Sequence, residues 1–213
     1  MKEKIWCIIR PNLENGEILN IGIMGTGFFV SENKFVTAHH LLNESVFVKN
    51  KLYNNDYIIL QNILGNRIKI DLHNNINYYP DKDLTSIVFD EKFEYFEMEE
   101  NVNKNEEVKN LGFPSAHIKD LFSIKNNKFN INKVVEQNGN ILEVINNFSS
   151  RSNDVNIEKK KVIVTNYASF IGFSGGPLLN KKGKAIGMMS MLVPKGNDNL
   201  SGKVLAISIC EIV

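Results

Sequence analysis

Short apolar or alternating runs follow one another along this chain, at residues 5–9, 18–30, 34–38, 45–48, 57–60, 67–70 and 84–89, rich in Ile, Val and Phe and separated by Asn, Gly and Glu. Alternation with a period of two puts successive side chains on opposite faces of a sheet, and no stretch sustains the 3.6-residue repeat of an amphipathic helix. The texture resumes at 108–113, 129–135, 140–145, 161–166, 176–180, 184–192 and 203–210. The chain is therefore expected to be all-β. Residues 97–109 turn polar and are expected to form a linker, which divides the 213 residues into 1–98 and 99–213. Two β-barrels or sandwiches of about 100 residues each would account for the whole.

Composition narrows the function. With 43% hydrophobic and 23% charged residues the chain can bury a core, and a net charge of +1 gives no electrostatic footprint for a polyanion. Nucleic acid and membrane are not expected as partners, and no run approaches the roughly 18 apolar residues of a membrane span. The apolar run after Lys4 is also too short for a signal peptide. Two cysteines near opposite ends, Cys7 and Cys210, make neither a disulfide framework nor a zinc pattern, so a cytoplasmic setting is expected. Repeated Asn-Asn pairs mark turns. Residues 146–160 have the composition of a mobile surface loop, and Glu158-Lys159-Lys160-Lys161 at its end reads as a solvated turn.

The segment with the most chemistry is Gly172-Phe173-Ser174-Gly175-Gly176-Pro177-Leu178-Leu179, a serine flanked by glycines before an apolar strand. A glycine at 172 lets the backbone approach a substrate carbonyl, so that the N–H groups of Gly172 and Ser174 can both face a developing oxyanion. The segment also satisfies the Gly-x-Ser-x-Gly elbow of α/β-hydrolases, which requires a histidine after the serine. All four histidines, His39, His40, His73 and His117, precede Ser174, and Gly175-Gly176-Pro177 is a poor helix start. The elbow reading is excluded.

A serine late in the chain needs its base and acid upstream. Gly25-Thr26-Gly27-Phe28-Phe29-Val30, then Phe35-Val36-Thr37-Ala38-His39-His40, then the serine segment together resemble the trypsin/chymotrypsin family, and are similar to its bacterial, disulfide-free, HtrA-like branch. The resemblance implies that the base is His40, three residues after Thr37, and leaves His39 a structural role. It selects Asp83 over Asp81 as the acid, because the family's Asp stands just before an apolar residue and a small one. The intervals of 43 and 91 residues between these three positions are close to the values of about 45 and 93 in the chymotrypsin-type template. Val108-Lys109-Asn110-Leu111-Gly112-Phe113-Pro114, the hairpin around Gly183 and Leu205-Ala206-Ile207-Ser208 extend the similarity over essentially the whole sequence.

The resemblance implies two six-stranded antiparallel β-barrels of chymotrypsin type with the active site between them. It implies a serine endopeptidase in which Ser174 attacks, His40 relays the proton and Asp83 orients His40, with an oxyanion hole at Gly172 and Ser174. Ala168, Ser169 and Met189 would border the first specificity pocket, and Ser190, Met191 and Leu192 would lie along an extended polypeptide substrate. With no acid there to bind Lys or Arg, a small or medium apolar P1 residue is expected. Phe173 stands where trypsin-like zymogens carry an Asp, so activation, if regulated, would come from loops, a partner protein or a fused domain. No metal or organic cofactor is implied. The alternative is a latent or inactive binding module on the same fold.

Overall fold

The computed structural model describes residues 1–14, 17–42, 57–115, 122–125, 128–151, 155–193 and 199–213. The run expected at 45–48, and His117, lie outside them. Seven strands, β1 (Ile5–Glu14), β2 (Glu17–Phe29), β3 (Lys34–Ala38), β4 (Tyr57–Asn62), β5 (Arg67–Asp71), β6 (Ile76–Tyr79) and β7 (Leu84–Val88), form one sheet. Its order is β5-β4-β1-β2-β3-β7-β6, with every pair antiparallel. Then come β8 (Glu107–Gly112), β9 (Phe122–Lys125), β10 (Lys128–Ile131), β11 (Val135–Arg151), β12 (Asn156–Thr165), β13 (Pro177–Asn180), β14 (Ala185–Leu192) and β15 (Val204–Ser208). Six of these close into a barrel, β11-β12-β15-β14-β13-β8, and β9 with β10 forms a separate hairpin.

The all-β expectation and the chymotrypsin-type arrangement hold. The second barrel has the expected six strands, whereas the first unit is a curled sheet of seven. The additional strand is β6, where Tyr78 and Tyr79 are 42% and 38% exposed. Among the described residues it pairs with β7 only, and it adds little apolar surface, so hydrophobic patterning gives it no signal.

The first sheet packs around Phe29, which is fully buried. Its ring stacks on Phe93 at 4.4 Å and meets Phe35 at 5.2 Å, Phe89 at 5.5 Å and Trp6 at 5.9 Å. Aromatic pairs at such separations add to the burial of their large apolar surfaces. The core does not stop at the sheet. Leu111, Phe113, Val162, Met188 and Ile207 of the second half join the same buried cluster as Ile5, Ile8 and Phe35 of the first.

Two stretches read as polar connections are ordered by backbone pairing. In 97–109, Ala185 N–H donates to the Glu97 carbonyl at 2.8 Å and Glu99 N–H to the Ala185 carbonyl at 3.0 Å, which lays this end of the segment along the second barrel. The mobile loop expected at 146–160 is instead largely β11 and β12, paired as far as Arg151 and Asn156, with residues 152–154 outside the described set. The arm lies against the first sheet: Ile157 is fully buried and bridges to Lys82, Glu158 N–H donates to the Asp81 carbonyl at 2.9 Å, and Lys160 pairs with Asp81 at 2.8 Å. The charge run is thus strand, not a solvated turn. A polar composition describes side chains, but a buried backbone must still be hydrogen-bonded, and the neighbouring sheet supplies the partners.

Replacing Phe29 by Ala is expected to lower the unfolding free energy by about 3–5 kcal/mol. Leu64→Ala, at a residue 70% exposed, is expected to change it by less than about 0.5 kcal/mol. Urea denaturation of the two variants beside wild type checks both values, and a small loss at Phe29 would remove it as the centre of the core.

Candidate active site

β3 ends at Ala38 and the chain enters a single 3-10 turn, His39–Leu41. On the adjacent β7, Leu84 pairs with Ala38, so the residue before β7, Asp83, arrives beside the turn. Asp83 adopts a left-handed backbone, φ 48°, at the end of a tight turn in which its N–H donates to the Pro80 carbonyl at 3.3 Å. Aspartate tolerates that region better than most residues. The turn aims its carboxylate inward, where it is 1% exposed.

A buried carboxylate must find donors. Oδ1 accepts from the His40 backbone N–H at 2.9 Å, and His40 Nδ1 lies 3.0 Å from both oxygens. Ser190, from β14 of the second barrel, donates its hydroxyl to Oδ2 in a short hydrogen bond. With Nδ1 carrying the proton toward Asp83, Nε2 of His40 is left as an acceptor.

The serine turn sits where β13 and β14 meet the first sheet. Phe173 N–H donates to the Phe170 carbonyl at 3.2 Å, closing a four-residue turn whose third residue, Gly172, has φ +106°. That is the position where a type II turn requires a positive φ. A Cβ on Gly172 would also stand 2.3 Å from the Phe113 carbonyl oxygen. Thr26 N–H donates to the Ser174 carbonyl at 2.9 Å and Gly175 N–H to the Met189 carbonyl at 2.8 Å. Among the described residues, the N–H groups of Gly172 and Ser174 have no hydrogen-bond acceptor.

Ser174 Oγ donates to the Ser190 carbonyl at 3.3 Å, and no hydrogen bond joins it to His40 among the described residues. Ser190 is an extra residue in β14: its neighbours Met189 and Met191 face the consecutive Ala206 and Leu205 of β15. The resulting bulge re-aims the strand. It directs the Ser190 side chain to Asp83 while its carbonyl meets Ser174. Past Met189, the β13 side of β14 has no strand partner among the described residues.

Beside Ser174 opens a pocket of about 510 Å³, lined by Ser115, Ser169, Phe170, Ile171, Met189 and Leu192. Among the described residues, no charged side chain borders it. Of the residues expected here, Ser169 and Met189 line the pocket, Ala168 is exposed outside it, Ser190 is buried against Asp83, and Met191 is half-buried away from it. Tyr167 is buried, so its neighbour Ala168 faces outward. Phe170, Ile171 and Ser115 carry no sequence signal for this role, because two turns distant in sequence build the wall together. His73 stands apart in an exposed turn, its N–H on Asp71, and His117 lies outside the described residues. His39 packs edge-on against Tyr78 at 5.5 Å, with Nδ1 3.4 Å from Thr85 Oγ1.

A family model described as trypsin-like peptidase domain matches residues 25–188. No curated protein sequence matches the chain. Solved structures similar in fold include the active form of the Rv3671c protease from M. tuberculosis, with a TM-score of 0.67 and 16% identity over 99% of this chain and 78% of that one. Deg5 follows at 0.64 and 16%, over 100% and 86%. The HtrA-type protease AlgW with a tripeptide aligns at 0.66 and 16%, and this chain, 99% covered, spans 57% of it.

Burial holds the His39 imidazole below its ordinary value, with Asp83 opposing and His40 reinforcing the shift. The unfolded state then binds the proton first, near pH 6.5. The associated stability is fully present above that pH and is lost as pH falls through the folded-state value. Wild type is therefore expected to lose more stability between pH 7.5 and 5.5 than His39→Phe, which keeps the ring contact and removes the titration. Equal losses in paired urea titrations would refute this role.

Proposed function

Because the chain belongs to the trypsin-like peptidase domain family, we propose that it is a serine endopeptidase working through His40, Asp83 and Ser174. The observation that carries this reading is the buried Asp83 carboxylate, 3.0 Å from His40 Nδ1, next to a serine turn with two unoccupied N–H groups. Ser174 Oγ leaves the Ser190 carbonyl for His40 Nε2, gives it its proton and bonds to the substrate carbonyl carbon. The oxyanion forms against the N–H groups of Gly172 and Ser174. Collapse expels the amine, which takes the proton from His40 and leaves an acyl-enzyme on Ser174. Water, deprotonated by His40, then releases the acid. Asp83 keeps the imidazole in one tautomer and offsets the charge of the imidazolium.

The substrate is an extended polypeptide, its backbone added to the open side of β14 at Ser190, Met191 and Leu192. The pocket walls of Met189, Phe170, Ile171 and Leu192 favour a small or medium apolar P1 side chain, because a charge would enter without a partner. The units at 1–98 and 99–213 contribute the His–Asp pair and the serine turn respectively. Unbridged Cys7 and Cys210 fit a cytoplasmic setting.

A second reading, a latent domain awaiting an activating partner, is favoured by one observation: the Ser174 hydroxyl is on Ser190 and not on His40. In unliganded enzymes such bonds tighten only with substrate. Labelling with a fluorophosphonate probe at pH 7.5 separates the two. Wild type is expected to react, and both Ser174→Ala and His40→Ala to abolish the reaction. Asp83→Asn is expected to lower peptide turnover by about 10⁴-fold, by permitting the wrong tautomer. Folded wild type that never reacts would leave the latent reading standing. Cleavage after Arg or Glu in a peptide library, with none after Val, Ala, Leu or Met, would overturn the pocket assignment.

A further inference from the structure

Thr26, the middle residue of Gly25-Thr26-Gly27, belongs to β2 of the first sheet, yet most of its polar atoms engage the second half. Its N–H donates to the Ser174 carbonyl at 2.9 Å, and its hydroxyl donates to the Gly172 carbonyl at 2.7 Å and accepts from Phe113 N–H at 3.2 Å. Its own carbonyl accepts from Thr37 Oγ1 at 2.7 Å, and the residue is fully buried.

An oxyanion hole depends on the relative orientation of two N–H groups. In a planar trans peptide the N–H points opposite to the carbonyl of the preceding residue, so each donor is aimed by whatever holds that carbonyl. The Ile171 carbonyl, which aims Gly172 N–H, is held by Ser115 N–H at 2.8 Å with the Ser115 hydroxyl at 3.3 Å. The Phe173 carbonyl, which aims Ser174 N–H, is held by Gly176 N–H at 2.9 Å. Between them lies the Gly172–Phe173 peptide, whose carbonyl is held by the Thr26 hydroxyl. The outer planes are held by backbone donors. The middle plane has the turn's own bond at its N–H, from Phe173 to the Phe170 carbonyl at 3.2 Å, but its carbonyl relies on a side chain, and it adjoins a glycine that has no Cβ to resist rotation.

We infer that Thr26 is a positioning residue for the oxyanion turn: its hydroxyl locks the Gly172–Phe173 peptide and so sets the angle between the Gly172 and Ser174 N–H groups. Its branched side chain suits the task, because β-branching restricts χ1 and holds the hydroxyl in one direction. The inference rests on the acyl-transfer reading for its kinetic consequence, but not for its geometric one.

The test compares Thr26→Val, which keeps the shape and loses the hydroxyl, with Thr26→Ser, which keeps the hydroxyl. On a peptide substrate with an apolar P1 residue, Thr26→Val is expected to lower kcat per folded molecule by about 10- to 100-fold with KM unchanged. Affinity for a peptide boronate, which forms a tetrahedral adduct, is expected to fall in parallel, while affinity for the cleaved product peptide stays. Thr26→Ser is expected to restore kcat. A lowered Tm with kcat and boronate affinity unchanged would make Thr26 structural only and overturn the inference. Amide spectra of the free protein give a readout without turnover: the Gly172 and Ser174 resonances are expected to shift and exchange faster in Thr26→Val and to be retained in Thr26→Ser. Unchanged resonances overturn the inference even if wild type cleaves nothing, an outcome that would separately sink the peptidase reading.

Discussion

The charge on Asp83 organises the molecule. A carboxylate 1% exposed is tolerated only where donors surround it, and here they come from both halves of the chain: the backbone and ring of His40 from the first sheet, and the hydroxyl of Ser190 from the second barrel. Separating the halves would strip that charge of the Ser190 donor. The arrangement therefore ties the docking of sheet and barrel to the geometry of the His–Asp pair. The short turn that carries Asp83 is braced from the same side, where Lys160 pairs with Asp81, Ile157 bridges to Lys82, and Lys82 Nζ donates to the Glu211 carbonyl at 2.8 Å.

The serine turn meets the first sheet through an equally dry contact. Thr26 and Thr37 present polar atoms to Gly172, Ser174 and Gly175, and a Cβ on Gly175 would stand 2.0 Å from the Thr26 carbonyl oxygen. So close an approach explains glycine on both sides of Ser174: 172 and 175 each need it for a backbone conformation and for space. The buried cluster beneath is continuous across the two halves. The site is thus a seam between two β units, each giving part of its chemistry and neither holding all of it.

Much of this was legible in the sequence because sheets impose a period of two. β3, β4, β5, β7, β13 and β14 fall within a residue or two of the apolar runs that mark them. β6 was not legible, since its tyrosines are half-exposed and it pairs with a single neighbour. The β11–β12 arm was misread as loop, because Ser, Asn and Lys dominate its composition while the sheet it lies against is far away in the chain. In the site, the family resemblance singled out His40, Asp83 and Ser174, and the fold joins His40 to Asp83 directly and Ser174 to Asp83 through Ser190. The pocket was less legible. Ser169 and Met189 line it, but Ser115, Phe170 and Ile171 do so through turn geometry that residue types do not encode.

By itself the sequence determined the class of fold, the order of the chemical groups and the glycines around Ser174, because these follow from local periodicity and from backbone conformations that few residues adopt. Only the tertiary structure decided which donors reach Asp83, that Ser190 turns its hydroxyl to Asp83 and its carbonyl to Ser174, and that Thr26 bonds to the turn beside Ser174. Those are contacts between residues 146 and 107 positions apart, such as Thr26 with Gly172 and Asp83 with Ser190. Their partners are set by how a curled sheet and a closed barrel pack, which no local pattern specifies.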